Sequence, residues 1–351
     1  MKFKKLLLNC DLFGKTQNFT IATKSSYQTY FGSAVSLAIV GVLTYLFFYF
    51  GLEIFDRARP NVIITTYNEE NPPETLIDDS SNIFTLALEN PDYTVYINES
   101  IYTLNASMIT IKLGESGLDR IIEPITLIKC SEYNFKFLND YFEPLDLPNL
   151  YCLNTSIPYM LKGEFSKAEW KYLQFQFNKC VNSTKNNNSC MSTEEIESRL
   201  QGGYLGMFIS HVSVIPTNFH QPFSSHGKNV FTSFSSNQYT DVWMYLKPLI
   251  IETDDGYIFR RNKTVRCLVY DSSFATYDYR GGNTFLSLNL RLSLVREVYE
   301  RSYSKVQGVA AEIGGIINFG LVVGEIVVYI IREILYKDFL LTFFLKNLYE
   351  K

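Results

Sequence analysis

The sequence predicts an α+β membrane protein in which two transmembrane helices flank one β-rich lumenal or extracellular domain. Three observations predict it. Two apolar runs, residues 34–55 and 309–331, lie near the two ends of the 351-residue chain. Between them, about 250 residues carry short runs of β-branched and aromatic side chains bounded by turn formers. The same middle stretch holds the glycosylation triplets and cysteines that suit an oxidising compartment. The implied order is a cytoplasmic segment 1–33, a first span 34–55, a lumenal domain 56–306, a second span 307–331 and a cytoplasmic tail 332–351.

Met1-Lys2-Phe3-Lys4-Lys5 begins like a signal peptide, but its apolar run, Leu6-Leu7-Leu8, breaks at Asn9-Cys10-Asp11. That is shorter than the roughly 7 residues an h-region needs, so the first span reads as an uncleaved signal anchor. Its 22 residues, at about 1.5 Å each, cover a hydrocarbon core of about 30 Å. Lys2, Lys4, Lys5, Lys15 and Lys24 precede it against one acid, Asp11. The positive-inside rule puts that end in the cytoplasm, and a second span returns the carboxyl end to the same side. Arg332, Lys337, Lys346 and Lys351 agree. The expected location is therefore integral to a membrane of the secretory pathway or cell surface, both termini cytoplasmic.

N-x-[ST] acceptors lie in the middle at Asn98, Asn105, Asn154, Asn182, Asn187 and Asn262. Asn18 fits the triplet too, on the side expected to stay unmodified. Of the cysteines, Cys130, Cys152, Cys180, Cys190 and Cys267 are also there, enough for two disulfides and one remaining thiol. Cys180 and Cys190 flank a polar Asn/Ser/Lys loop and are the pair expected to bond. Residues 61–100 contain eight acids, Glu69, Glu70, Glu74, Asp78, Asp79, Glu89, Asp92 and Glu99, and no Lys or Arg. Such a stretch is either a solvated face or a vestibule that concentrates cations beside the membrane.

Strands are expected over 94–98, 108–113, 122–129 and 206–215. Residues 240–253 and 257–270 flank Asp254-Asp255-Gly256, a hairpin signal. In 285–294, Leu286, Leu288, Leu290, Leu292 and Leu294 alternate with Ser287, Asn289, Arg291 and Ser293, which predicts one buried and one wet face. From there 296–305 reads as a short connection to the second span. Ser192-Thr193-Glu194-Glu195 opens a helix that ends near Gly202.

The second span is unusual for an anchor because it contains Glu312, Asn318 and Glu325. An ionisable group at bilayer depth is costly and marks a functional hypothesis. At ~100° per residue, Gly314, Asn318 and Glu325 fall within about 40° of one another, Glu325 lying about 10 Å deeper than Asn318. Glu312 points away from this stripe. Gly320 and Gly324 form a GxxxG on a different face, suited to close contact with another helix. Three readings stay open: hydrogen bonds to the first span or a second copy, rings of Glu325 and Asn318 around a cation pore, or capture of a partner's transmembrane segment.

Enzyme signatures are not found: HExxH, GxSxG, a P-loop and a CxxC pair are all missing. His211, His220 and His226 have no spacing that marks a metal site. A net charge of −4 with no basic patch argues against nucleic acid. The expectation is a non-enzymatic protein with no cofactor and no bound metal.

The stretch 301–329 resembles the second span of the cargo receptors of the ER–Golgi intermediate compartment family. The residues carrying the resemblance are Arg301-Ser302-Tyr303, Gly308-Val309-Ala310-Ala311, Ile313-Gly314-Gly315 and Gly320-Leu321. At the other end Asp11-Leu12-Phe13-Gly14-Lys15-Thr16 and Phe19 are similar as well. The chain also looks like two-span membrane proteins found in large sets in ciliates. The resemblance implies a receptor or adaptor whose lumenal domain binds protein cargo or a small ligand. Pairing of the spans through Gly320, Gly324 and the Asn318–Glu325 stripe is expected to hold a homo-oligomer or larger membrane-protein complex. The alternatives are a homo-oligomeric, trimeric cation channel with Glu325 and Asn318 lining the pore, and a structural subunit of a membrane assembly.

Overall fold

A computed structural model of the chain describes residues 15–21, 24–27, 29–57, 59–77, 84–114, 117–138, 145–154, 157–165, 167–182, 190–279 and 282–349. In chain order, the hairpin β1 (Lys15–Ile21) and β2 (Lys24–Tyr27) precedes helix α1 (Tyr30–Asp56). Then come β3 (Asn61–Asn68), β4 (Thr75–Ile77), β5 (Phe84–Glu89), β6 (Val95–Tyr96), β7 (Tyr102–Gly114), β8 (Gly117–Ile125) and β9 (Leu127–Lys129). Two 3-10 turns, Glu132–Leu138 and Leu147–Asn149, lead to β10 (Tyr151–Leu153), β11 (Tyr159–Leu161), β12 (Glu169–Lys179) and helix α2 (Thr193–Leu200). The remaining strands are β13 (Gly203–Val214), β14 (Phe223–Phe234), β15 (Tyr239–Asp254), β16 (Asn262–Asp278), β17 (Thr284–Leu292) and β18 (Val295–Ser302). Helix α3 (Val306–Tyr349) follows them. This is α+β, mostly strand, with a long apolar helix on either side in the chain.

The chain divides into two units, one made of Met1–Asn61, Asp255–Arg261 and Tyr303–Lys351, the other of Val62–Asp254 and Asn262–Ser302. The second is a β-sandwich. One sheet runs β14-β13-β5-β10-β9 with β6 on β5; the other runs β3-β18-β15-β17-β12-β7-β8 with β16 on β15. Phe84, Leu86 and Leu88 of β5 and Leu205, Met207 and Ile209 of β13 share one core with Phe175 and Phe177 of β12 and Leu286, Leu288 and Leu290 of β17. The rings of Phe84 and Phe175 (5.5 Å) and of Phe234 and Phe285 (5.4 Å) tie the two sheets together at distances typical of aromatic pairs.

Three local expectations change. Strand β17 is buried on both faces, because it lies in mid-sheet between a parallel β15 and an antiparallel β12 and its polar face is covered by side chains. Residues 295–302 are strand β18, paired parallel with β15, and not a connection. The strand expected from 257 begins at Asn262, leaving Asp255–Arg261 as a longer turn at the end of the hairpin. A Cβ at Gly256 would overlap the Phe259 carbonyl, so that turn needs glycine. Of the described acids of 61–100, Glu69 pairs with Arg296 (3.0 Å) and Glu74 with Lys171 (2.6 Å), while Glu89 is buried.

In the other unit, the Thr29 hydroxyl caps α1 by accepting from Gly32 N (2.9 Å). The hydroxyls of Ser33, Ser36 and Thr44 each donate to the carbonyl four residues earlier, as polar groups in an apolar helix must. Both α1 and α3 are long and apolar enough to cross a membrane. Helix α3 continues unbroken past Ile331 to Tyr349, through the segment expected as a tail. Near the end of α1, the Arg57 guanidinium lies 4.1 Å from the Tyr257 ring and 5.7 Å from that of Tyr303. Tyr257 O accepts from Val306 N (3.0 Å) and Ile258 O from Gln307 Nε2 (2.6 Å), fixing the 255–261 turn to the first turn of α3.

Candidate functional site

The two long helices pack against each other, and their contact selects one face of each. On α1 the covered positions are Ser33, Ser36, Ile39, Leu43, Leu46, Phe50 and Ile54, spaced by three and four. On α3 the covered face holds Val309, Ile313, Gly320, Gly324 and Val328. A Cβ at Gly320 would stand 3.7 Å from Ile39 Cγ2, so the GxxxG face is occupied within the chain, by α1. Asn318 and Glu325 are exposed and have no polar partner among the described residues; Gly314 is half-covered and meets nothing on the side where a Cβ would stand. Glycine face and polar stripe are thus separate surfaces: one holds the hairpin of helices, the other is left open.

Cys180 and Cys190 are joined across the polar loop, and Cys130 is joined to Cys152. Cys267 is buried on β16, outside both bridges. Asn105 stands exposed on β7 and Asn262 exposed at the start of β16. Asn98 Oδ1 accepts from Ser100 N and Asn182 Oδ1 from Cys190 N, while Asn154 is half-buried after β10. Asn187, Asp78, Asp79 and residues 1–14 lie outside the described residues. His211 and His226 face each other across β13 and β14 with ring centroids 5.2 Å apart. Burial, with the neighbouring charges of His226, Lys228 and Lys247, holds the His211 imidazole below its ordinary pKa. No third ligating side chain completes a metal group among the described residues.

The sandwich also carries a cleft of about 400 Å³ that sequence reasoning does not find. Its floor follows from strand alternation. On β5, Phe84, Leu86 and Leu88 enter the main core, so Thr85, Ala87 and Glu89 take the opposite face. Across the ladder, Thr85 pairs with Phe208, Ala87 with Gly206 and Glu89 with Tyr204. Next to them on β14 stand Asn229 and Phe231. A Cβ at Gly206 would overlap the Glu89 carboxylate that lies over it, so a larger residue there would displace that carboxylate.

Glu89 is 8% exposed and has no hydrogen-bond or ionic partner among the described residues. Burial pushes its carboxyl above the usual carboxylate range. Four residues earlier on the same face of β5, beyond Ala87, Thr85 Oγ1 is fully buried without a hydrogen bond, which costs roughly 1–3 kcal/mol. Tyr93, at the rim, has the positive φ of 61° that non-glycine residues seldom adopt, and its ring stacks on Tyr204 at 5.2 Å. The far wall, Leu145, Asp146 and Leu150, is held by the Cys130–Cys152 bridge and by Phe135 against Phe208. Desolvated, unsatisfied polar groups in an open cleft are what a ligand would complete. The available signal was an acid and a threonine in a strand, 84–89, otherwise as apolar as a buried one.

Two other features are less suited to recognition. Arg291 of β17 is 1% exposed, but Phe165 (4.0 Å), Trp243 (5.5 Å) and Tyr172 (5.8 Å) enclose its guanidinium, with Glu164 3.5 Å away. A larger crevice of about 600 Å³ lies among Phe48, Leu52, Tyr257, Val306 and Ile313 and offers only hydrocarbon and aromatic surface.

Among solved structures, the chain is similar to a proton-activated chloride channel determined by cryo-EM, at 11% identity over 83% of this chain and 95% of that one, with a TM-score of 0.28. It is also similar to the crystal structure of Erv41p, at 9% identity over 69% of this chain and 99% of that one, with a TM-score of 0.25. Neither likeness is close enough to carry a functional argument. No curated protein matches the chain in sequence. A family model does match, over residues 83–293, more than half of the chain and the stretch that builds the cleft. The chain therefore belongs to the family described as the uncharacterised 80 kDa protein N-terminal domain.

Proposed function

We propose that the protein is a non-enzymatic two-pass membrane glycoprotein, an oligomeric receptor or adaptor that binds protein cargo or a small ligand through its β-rich lumenal unit. The observation that carries the oligomer is the open stripe. Gly320 and Gly324 are used against α1, while Asn318 and Glu325 are exposed and without a polar partner among the described residues. In a bilayer such groups gain a hydrogen-bonding partner from another helix, each bond contributing about 0.6–2 kcal/mol. The unsatisfied cleft supports a binding role for the β-rich unit. The resemblance of the two ends to cycling cargo receptors supports the same reading.

The test is cross-linking in native membranes. Asn318→Cys, oxidised, is expected to trap covalent dimers, whereas Phe319→Cys on the adjoining face is not. Equal trapping at both positions would contradict the stripe. A cation channel is the second reading, favoured by the exposed Glu325 carboxylate at span depth. A current from purified protein in a bilayer, altered in selectivity by Glu325→Gln, would put the channel first.

A further inference from the structure

We infer that the cleft over β5 and β13 binds an organic cation, an ammonium or guanidinium such as a lysine or arginine side chain presented by a partner peptide. This rests on the β-rich unit being a binding unit and names the chemistry it selects. The charge inside the cleft is one-sided: among the described residues Glu89 and Asp146 line it, and no Lys or Arg does. Asp146 is exposed to water and accepts from Asn149 Nδ2 (2.8 Å), whereas Glu89 is the desolvated carboxylate, with no polar side-chain partner among the described residues. Gly206 clears the space in which that carboxylate sits.

Around the acid are the groups a cationic side chain needs. The Thr85 hydroxyl, four residues earlier on the same face of β5, is buried without a partner at the cleft floor. Asn229 offers an amide oxygen at the opening. Phe231 (52% exposed) and Tyr93 (68% exposed) present ring faces at the rim, where they can stack on a guanidinium or on an alkyl stem. A hard metal cation would demand six or more oxygens, and the described residues hold no cluster of three acidic, histidine or cysteine ligands. A planar or alkyl cation needs one carboxylate, one or two further acceptors and an aromatic wall, which is what the cleft holds.

The experiment is calorimetric titration of the full-length protein in phosphatidylcholine nanodiscs with N-acetyl-arginine amide. Its neutral isostere, N-acetyl-citrulline amide, serves as the control. Saturable binding of the arginine amide is expected, with at least tenfold weaker binding of the citrulline amide. Glu89→Gln should weaken the arginine amide at least tenfold. Gly206→Ala should also weaken it, by displacing the carboxylate, and a melting curve read from Trp170 and Trp243 establishes that each variant is folded. Equal binding of the two amides, or undiminished binding by folded Glu89→Gln, would overturn the assignment. Calcium displacing the arginine amide in the parent but not in Glu89→Gln would overturn it in favour of a metal. Copy number, measured on the same samples, separates the outcomes: loss of binding in an intact oligomer removes only this site, and a monomer that still binds the cation removes only the oligomeric receptor.

Discussion

Glu89 is placed where it weakens the fold. Its folded-state pKa is raised by burial, so the folded protein holds a proton in a pH range where the unfolded chain has lost it. Stability therefore falls as pH rises from the ordinary carboxylate range through the raised value, and is fully regained only below that range. Glu89→Gln removes the dependence. The variant is predicted to melt higher than the parent at neutral pH and alike near pH 4, followed by tryptophan fluorescence, since Trp170 and Trp243 both belong to the β-rich unit. A lower melting temperature for Glu89→Gln at neutral pH would show that the carboxylate supports the fold. Arg291 shows the contrast: it is more deeply buried but enclosed by three aromatic rings and an acid. The cleft itself is not legible in the sequence, because Thr85, Glu89, Gly206 and Asn229 meet only through a ladder between strands far apart in the chain.

At the scale of elements, helices and strands differ in how much their own residues reveal. The two spans are legible because a bilayer sets both their length and their composition. Helical arithmetic also separates the Gly320–Gly324 face from the Asn318–Glu325 stripe, but not which of them faces α1. That depends on Ile39, whose side chain fills the space beside Gly320. Gly320→Ala is predicted to be nearly neutral, since a Cβ there meets Ile39 at ordinary contact distance. Gly320→Leu should overpack the helix pair and cost about 1–3 kcal/mol, measured by reversible unfolding in mixed micelles; an unchanged midpoint would mean that the helices do not meet there. Strand β17 is legible as a strand from its leucines, yet not its second buried face. Covering Ser287, Asn289 and Arg291 takes Asp241, Trp243 and Phe165, supplied from outside the strand. Strand β18 escapes for a similar reason: its ladder to β15 is parallel and non-local, so no turn signal announces it.

For the whole molecule, the central claim is that the open polar stripe of α3 holds copies together while the β-rich units are free to bind. In the proposed reading binding belongs to the β-rich unit, within the family match of 83–293, and assembly to the stripe of α3 outside it. Their separation makes assembly testable without disturbing the cleft. The most direct measurement is mass by light scattering in mild detergent, for the parent and for Asn318→Leu/Glu325→Leu. The parent is predicted to be a discrete oligomer and the double variant to dissociate, its midpoint concentration rising roughly 5-fold to 150-fold for about 1–3 kcal/mol of lost interhelical bonding. A parent that stays monomeric at every concentration, or a double variant that assembles as well as the parent, would contradict the claim.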